Sequence, residues 1–138
     1  MAYEIEAGGK HFLFSHAGIC RGWVSANFPR LEDEDITAEL MNDLVGYPEF
    51  MSALGDTPIN RGGDKPCGSM IWADLYDHLV ENNRVPGIVQ VFGHSILKRP
   101  INYVNQFYCL DCRQAFYLNL SNGDIYWYKS NEKVCAIY

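Results

Sequence analysis

Two short segments of this chain end an apolar, strand-like run at a histidine in a glycine-bearing turn. They are Lys10-His11-Phe12-Leu13-Phe14-Ser15-His16-Ala17-Gly18 and Val89-Gln90-Val91-Phe92-Gly93-His94-Ser95. A strand that stops at a small-residue turn holds its imidazole at the edge of a sheet, where the missing bulk of glycine leaves room for an ion or a phosphate. Two such histidines on neighbouring strand tips converge on half of a metal site, which requires the two strands to end on the same edge of one sheet.

The other elements follow from local pattern. Tyr3, Ile5 and Ala7 alternate, and Gly8-Gly9 tolerates positive φ, so residues 2–7 and 10–15 read as a hairpin whose second strand delivers His16. Between residues 34 and 45 the apolar positions Ile36, Leu40, Met41 and Leu44 recur at helical spacing, and Gly46 offers a stop. The acidic run Glu32-Asp33-Glu34-Asp35 suits the positive end of that helix. A second helix is expected over 48–54, with Pro48 in its first turn, and a third over 74–83. Residues 55–68, rich in Gly, Pro, Asn and Asp, form a loop rather than a domain boundary, since neither flank is large enough to fold alone. Closely spaced strands follow at 88–93, about 101–104, 106–111, 114–120, 124–129 and 133–137, with Asn122-Gly123 as a hairpin turn. Helices on one side of such a run describe one layer of a two-sheet sandwich, with the opposite sheet face left seeking a partner.

At 138 residues the chain fits one domain and buries about two-thirds of its unfolded surface. The net charge of −6, without a Lys/Arg cluster, argues against nucleic acid, whose binding depends on neutralising phosphates. No signal peptide and no apolar run of the roughly 20 residues needed to span a bilayer is visible, so the expectation is a cytoplasmic protein without membrane contact. Five cysteines without regular spacing read as reduced thiols. Cys109-Leu110-Asp111-Cys112 has redox or zinc spacing, but on one extended strand the two thiols would point to opposite faces, which favours a core role. Cys20, Cys67 and Cys135 stand alone in the sequence.

The Ser-His-Ala-Gly and Gly-His-Ser elements resemble the last two motifs of calcineurin-like metallophosphoesterases, in the phosphoprotein-phosphatase and dinucleoside-tetraphosphatase branch. Their order agrees with that branch. Gly68-Ser69-Met70-Ile71-Trp72-Ala73-Asp74 resembles its Trp-x-Asp element, and residues 106–128 resemble its closing strands. The resemblance spans essentially this whole chain but only the second half of the family domain. The Asp-x-His, Gly-Asp-x-x-Asp-Arg and Gly-Asn-His-Glu/Asp motifs of the first half do not occur, and Gly55-Asp56 with Arg61 does not replace them. What the resemblance implies is an α+β fold, half of a four-layer αββα metallophosphatase sandwich with a mostly antiparallel or mixed sheet and three helices. Residues 1–138 would be a single partial domain.

By the same resemblance His16 and His94 are metal ligands for one divalent ion of a pair, manganese, iron or zinc. Arg61 would meet a substrate phosphate, and Asp74 would be an acid near the metals. Asp74 equally suits a helix N-cap, and Arg61 equally suits a solvated loop. His11 and His78 read as structural or surface residues, and the aromatics Tyr103, Tyr108, Phe116, Tyr117, Tyr126, Trp127 and Tyr128 as sheet core. Two imidazoles without a carboxylate leave an ion under-coordinated, so weak binding and no activity in isolation are expected. The implied substrate is a phosphoprotein or a dinucleoside polyphosphate. The alternative is a non-catalytic interaction module that forms a homodimer or pairs with a chain carrying the other half.

Overall fold

The computed structural model describes residues 1–103 and 105–134. Expectations that fall on Val104, Cys135 and residues 136–137 lie outside the described residues. In chain order the elements are β1 (Tyr3–Ala7), β2 (Lys10–Phe14), α1 (Arg21–Asn27), α2 (Ala38–Asp43), α3 (Pro48–Ala53) and α4 (Leu75–Leu79). Then come β3 (Ile88–Phe92), β4 (Ile101–Tyr103), β5 (Phe107–Cys109), β6 (Phe116–Asn119), β7 (Asp124–Trp127) and β8 (Lys133–Val134). Three 3-10 turns, Asp33–Asp35, Ile59–Arg61 and Glu81–Asn83, complete the set among the described residues.

One mixed five-stranded sheet has the order β1-β2-β3-β5-β4, and a separate antiparallel sheet has the order β6-β7-β8. The hairpin pairs Tyr3 with Phe14 and Ala7 with Lys10, while β2, β3 and β5 run parallel. The parallel pairing makes the sheet mixed, because the helical segment between β2 and β3 returns the chain to the same edge of the sheet before β3 begins.

Successive residues of these strands feed two different cores. Leu13 and Ile88 pack with Ile19, Trp23, Val24, Met41 and Phe50 from the helical side. Phe12, Val89, Val91 and Tyr108 point the other way, onto Ile125, Val134, Phe116, Leu118 and Trp127 of the small sheet. Both faces of the five-stranded sheet are therefore covered by this chain itself, and the expectation of an orphan face is corrected. The three layers observed are helices, the large sheet and the small sheet, an α+β arrangement.

Among the described residues four α-helices are present where three were expected. The additional one, α1, includes Gly22 and no side-chain cap at Cys20, so local signals are weak. Tertiary burial holds it: Trp23 is buried and its indole Nε1 donates to the Ala53 carbonyl at 3.0 Å. Gly22 is needed for close approach, since a Cβ there would lie 2.6 Å from Asn83 Oδ1. The helix expected from residue 34 begins instead at Ala38, capped by Thr37, whose hydroxyl accepts from Leu40 N–H at 3.1 Å, and the acidic run ahead of it forms a 3-10 turn closed by its own Glu32–Asp35 capping box. Cys109 ends β5 and Cys112 lies beyond it, so the opposite-faces argument does not apply. Both thiols are buried nonetheless.

Candidate functional site

The site begins with the parallel ladder. Ser15 N–H donates to Val91 O at 3.1 Å and Gly93 N–H donates to His16 O at 2.9 Å, so the pairing of β2 with β3 continues past both strands to the two histidines. Ligand sites of parallel sheets form at this carboxyl edge of the strands. Beyond Gly93 the chain turns sharply: His94 has φ 64° in the left-handed region and Ser95 N–H reaches back to Gly93 O at 2.7 Å. A Cβ on Gly93 would approach Asp111 Cβ to 3.3 Å, tighter than ordinary packing.

The result brings the two imidazoles together. His16 Nε2 and His94 Nδ1 are 2.9 Å apart, with ring centroids at 4.7 Å. Trp72 meets the His94 ring edge-on at 5.7 Å. His94 has its pKa lowered by burial first, then by the Arg61 guanidinium and by His16, so it is neutral at pH 7, the form a metal ligand needs. Its Nε2 is buried and makes no hydrogen bond.

Arg61 is fixed rather than solvated. Its Nε pairs with Asp74 Oδ2 at 2.8 Å, and one Nη donates to Ser95 Oγ at 2.7 Å and to the His94 carbonyl at 3.2 Å. Of the two readings open to it from the sequence, Asp74 is found as the helix N-cap, and it also pairs with Arg61. Oδ2 holds Arg61, while Oδ1 caps α4 by accepting from Tyr76 N–H at 3.0 Å. Asp77, a buried acid with its pKa raised by burial, accepts from Asp74 N–H and Gly68 N–H and steadies the turn from below.

Sequence reading missed two residues. Ser95 Oγ joins Arg61 to Leu75 N–H, and the only signal is a hydroxyl beside the Gly-His pair. Gln90 reaches under the His16 loop to grip both backbone groups of Ile19, at 2.6 and 2.8 Å; an amide in an otherwise apolar strand was the signal. His11 and His78 lie away from the pair. His11 faces Glu4 at 3.5 Å, and His78 is fully buried with Nε2 on the Ala17 carbonyl at 2.9 Å. A cavity of about 980 Å³ opens beside Lys10, His11, Arg84 and Gln106, at the amino end of the parallel strands and thus at the opposite edge from the histidine pair.

Two ring nitrogens 2.9 Å apart match adjacent ligands on an octahedral ion with bonds of about 2.1 Å. The donor set stops there: among the described residues, no group of three or more His, Cys, Asp or Glu side chains is placed to hold a metal ion. The residues present therefore fit part of a metal's coordination shell. Among the described residues no helix is long and apolar enough to cross a membrane. Compared with known proteins, the chain matches no family model, no curated protein and no solved structure.

Proposed function

We propose that this chain carries one half of a metallophosphoesterase centre, in which His16 Nε2 and His94 Nδ1 share a divalent cation. The observation that supports the reading is the 2.9 Å approach of two ring nitrogens delivered by adjacent parallel strands, with His94 neutral. A second support is Arg61, a phosphate-binding residue type that Asp74, Ser95 and the His94 carbonyl hold next to the pair. When bound, such an ion supplies Lewis-acid polarisation of a phosphate ester and activates water. This chain's residues contribute two imidazole nitrogens, a fixed guanidinium and the carboxylate that orients it. Manganese, iron and zinc all suit imidazole, and water or donors from another polypeptide complete the shell. The substrate class is a phosphoprotein or a dinucleoside polyphosphate, and the isolated chain hydrolyses neither at a useful rate.

A second reading, a non-catalytic module completed by another chain or a second copy, draws on the exposed rim of the same site. Ile59, Trp72, Tyr76 and Ile96 are all solvent-exposed and each lies within two residues of Arg61, Asp74 or His94. Calorimetric titration with manganese and zinc tests the metal reading: weak one-site binding is expected, lost in both His16→Ala and His94→Ala. Binding that survives both substitutions refutes it. A phosphatase assay with manganese separates the two readings, because turnover abolished by His94→Ala would defeat the non-catalytic one.

A further inference from the structure

We propose that the cavity at the amino end of the parallel strands binds a small zwitterion, a free amino acid or short peptide, whose carboxylate meets Arg84 and whose ammonium group meets Glu6 and Glu81. The cavity holds about 980 Å³, the upper end of the range for small-molecule sites. It lies at the opposite edge of the sheet from His16 and His94, so the inference does not rest on the metal reading.

Three parts of the chain build its walls. The β1–β2 hairpin brings Glu6 and His11, the 3-10 turn ahead of β3 brings Glu81 with Arg84 just past it, and the turn ahead of β5 brings Gln106. Glu6 and His11 are paired directly across the two strands and share the helical face of the sheet with Leu13, whereas Lys10 alternates onto the other face. His11 is engaged by Glu4 at 3.5 Å. The walls therefore set Arg84 against two carboxylates. Among the described residues Glu6 and Glu81 form no ion pair with a lysine or arginine, and Arg84 forms none with an acid. Opposite charges around one cavity that do not neutralise each other suit a ligand carrying both, while the two carboxylates repel a polyanion.

Arg84 is held ready for a carboxylate. Its guanidinium carbon lies 5.3 Å from the Tyr103 ring centroid, and Tyr103 stacks on Phe107 at 5.0 Å and 8°. One Nη donates to Gln106 Oε1. These contacts fix the plane of the fork, yet Nε stays buried without a hydrogen bond. A buried donor lacking an acceptor is costly, and a carboxylate is the acceptor that a guanidinium edge takes through two parallel bonds. At the rim, Gly9 (φ 72°) and Gly87 (φ 76°) leave the backbone open, since a Cβ on either would meet nothing within 4 Å.

The test titrates the full chain with alanine, dialanine and trialanine, each beside its N-acetyl and C-amide derivatives, and follows the backbone amides by NMR. Saturable shifts at Gly9, Gly87 and Gln106 are expected with at least one of the three zwitterions, and the length that binds best tells an amino acid from a peptide. Capping either end of that ligand weakens it about tenfold or more, the loss of one charge-assisted hydrogen bond. In Arg84→Gln the free acid binds no better than its C-amide, and in the double variant Glu6→Gln, Glu81→Gln the free amine binds no better than its N-acetyl form. The comparison of free and capped ligands in the unsubstituted chain stands even if a variant misfolds. The proposal is overturned by an absence of saturable shifts with all three zwitterions, by capped forms that bind as tightly as free ones, or by inorganic phosphate moving the same amides more strongly.

Discussion

Replacing Gln90 with leucine removes the clamp beneath the His16 loop while keeping the volume nearly constant. Gln90 is 4% exposed; its Oε1 accepts from Ile19 N–H at 2.6 Å and its Nε2 donates to Ile19 O at 2.8 Å. Leucine leaves both backbone groups buried without partners, at about 1–3 kcal/mol each, against a gain of about 1 kcal/mol from burying a less polar side chain. The net expectation for Gln90→Leu is a loss of about 3 kcal/mol. At about 4 °C per kcal/mol for a chain of this size, the melting temperature falls by about 12 °C. Urea unfolding measures it as a lower midpoint with an unchanged slope. Ile19 lies three residues beyond His16, so the His16 ring resonances should shift in the same variant. A loss under about 1 kcal/mol, with His16 resonances unmoved, would refute the idea that this amide holds the loop.

Burial lowers His78 to about 4 from an ordinary value near 6.5, so the unfolded chain takes up the proton first. That contribution is complete above about pH 6.5 and fades as pH falls toward 4, by about 2 kcal/mol between pH 6.5 and 5. His94, also lowered by burial, acts in the same sense, while Asp77, raised by burial, opposes it at lower pH. Urea midpoints at pH 7, 6 and 5 should fall steadily in the native sequence and less in His78→Gln, whereas equal slopes would contradict the assignment. Asp74→Asn keeps the cap oxygen but discharges the partner of Arg61; the pair is only partly buried, so a loss of about 1 kcal/mol that shrinks with added salt is expected in denaturation curves. Gly18→Ala places a Cβ 2.4 Å from the His78 ring at φ 85°, and thermal unfolding should show a loss above about 2 kcal/mol. An unchanged midpoint would mean that the ring has room to move.

What the sequence disclosed of this fold tracks how local the cause is. The Gly8-Gly9 hairpin, the helix opened by Pro48 and the Asn122-Gly123 turn each carry their signal within a few residues, and all three stand where the pattern puts them. Helix α1 was not legible because its cause is distant: Trp23 and the Ala53 carbonyl are 30 positions apart. The covered second face of the large sheet was missed for the same reason, since alternation in β2 and β3 cannot say that β6–β8 fold back over Phe12 and Val91. At the candidate site, the convergence of His16 and His94 was readable from two strand ends of like composition. The roles of Asp74 and Arg61 stayed open because one carboxylate can cap a helix and hold a guanidinium at once.

The shared cation is tested most directly by growing crystals of the chain with manganese or zinc and recording anomalous scattering at the metal edge. The account predicts one peak within about 2.3 Å of both His16 Nε2 and His94 Nδ1, with Arg61 still paired to Asp74. A peak held by other residues, or metal-saturated crystals in which the two rings remain hydrogen-bonded to each other with no peak between them, would contradict it.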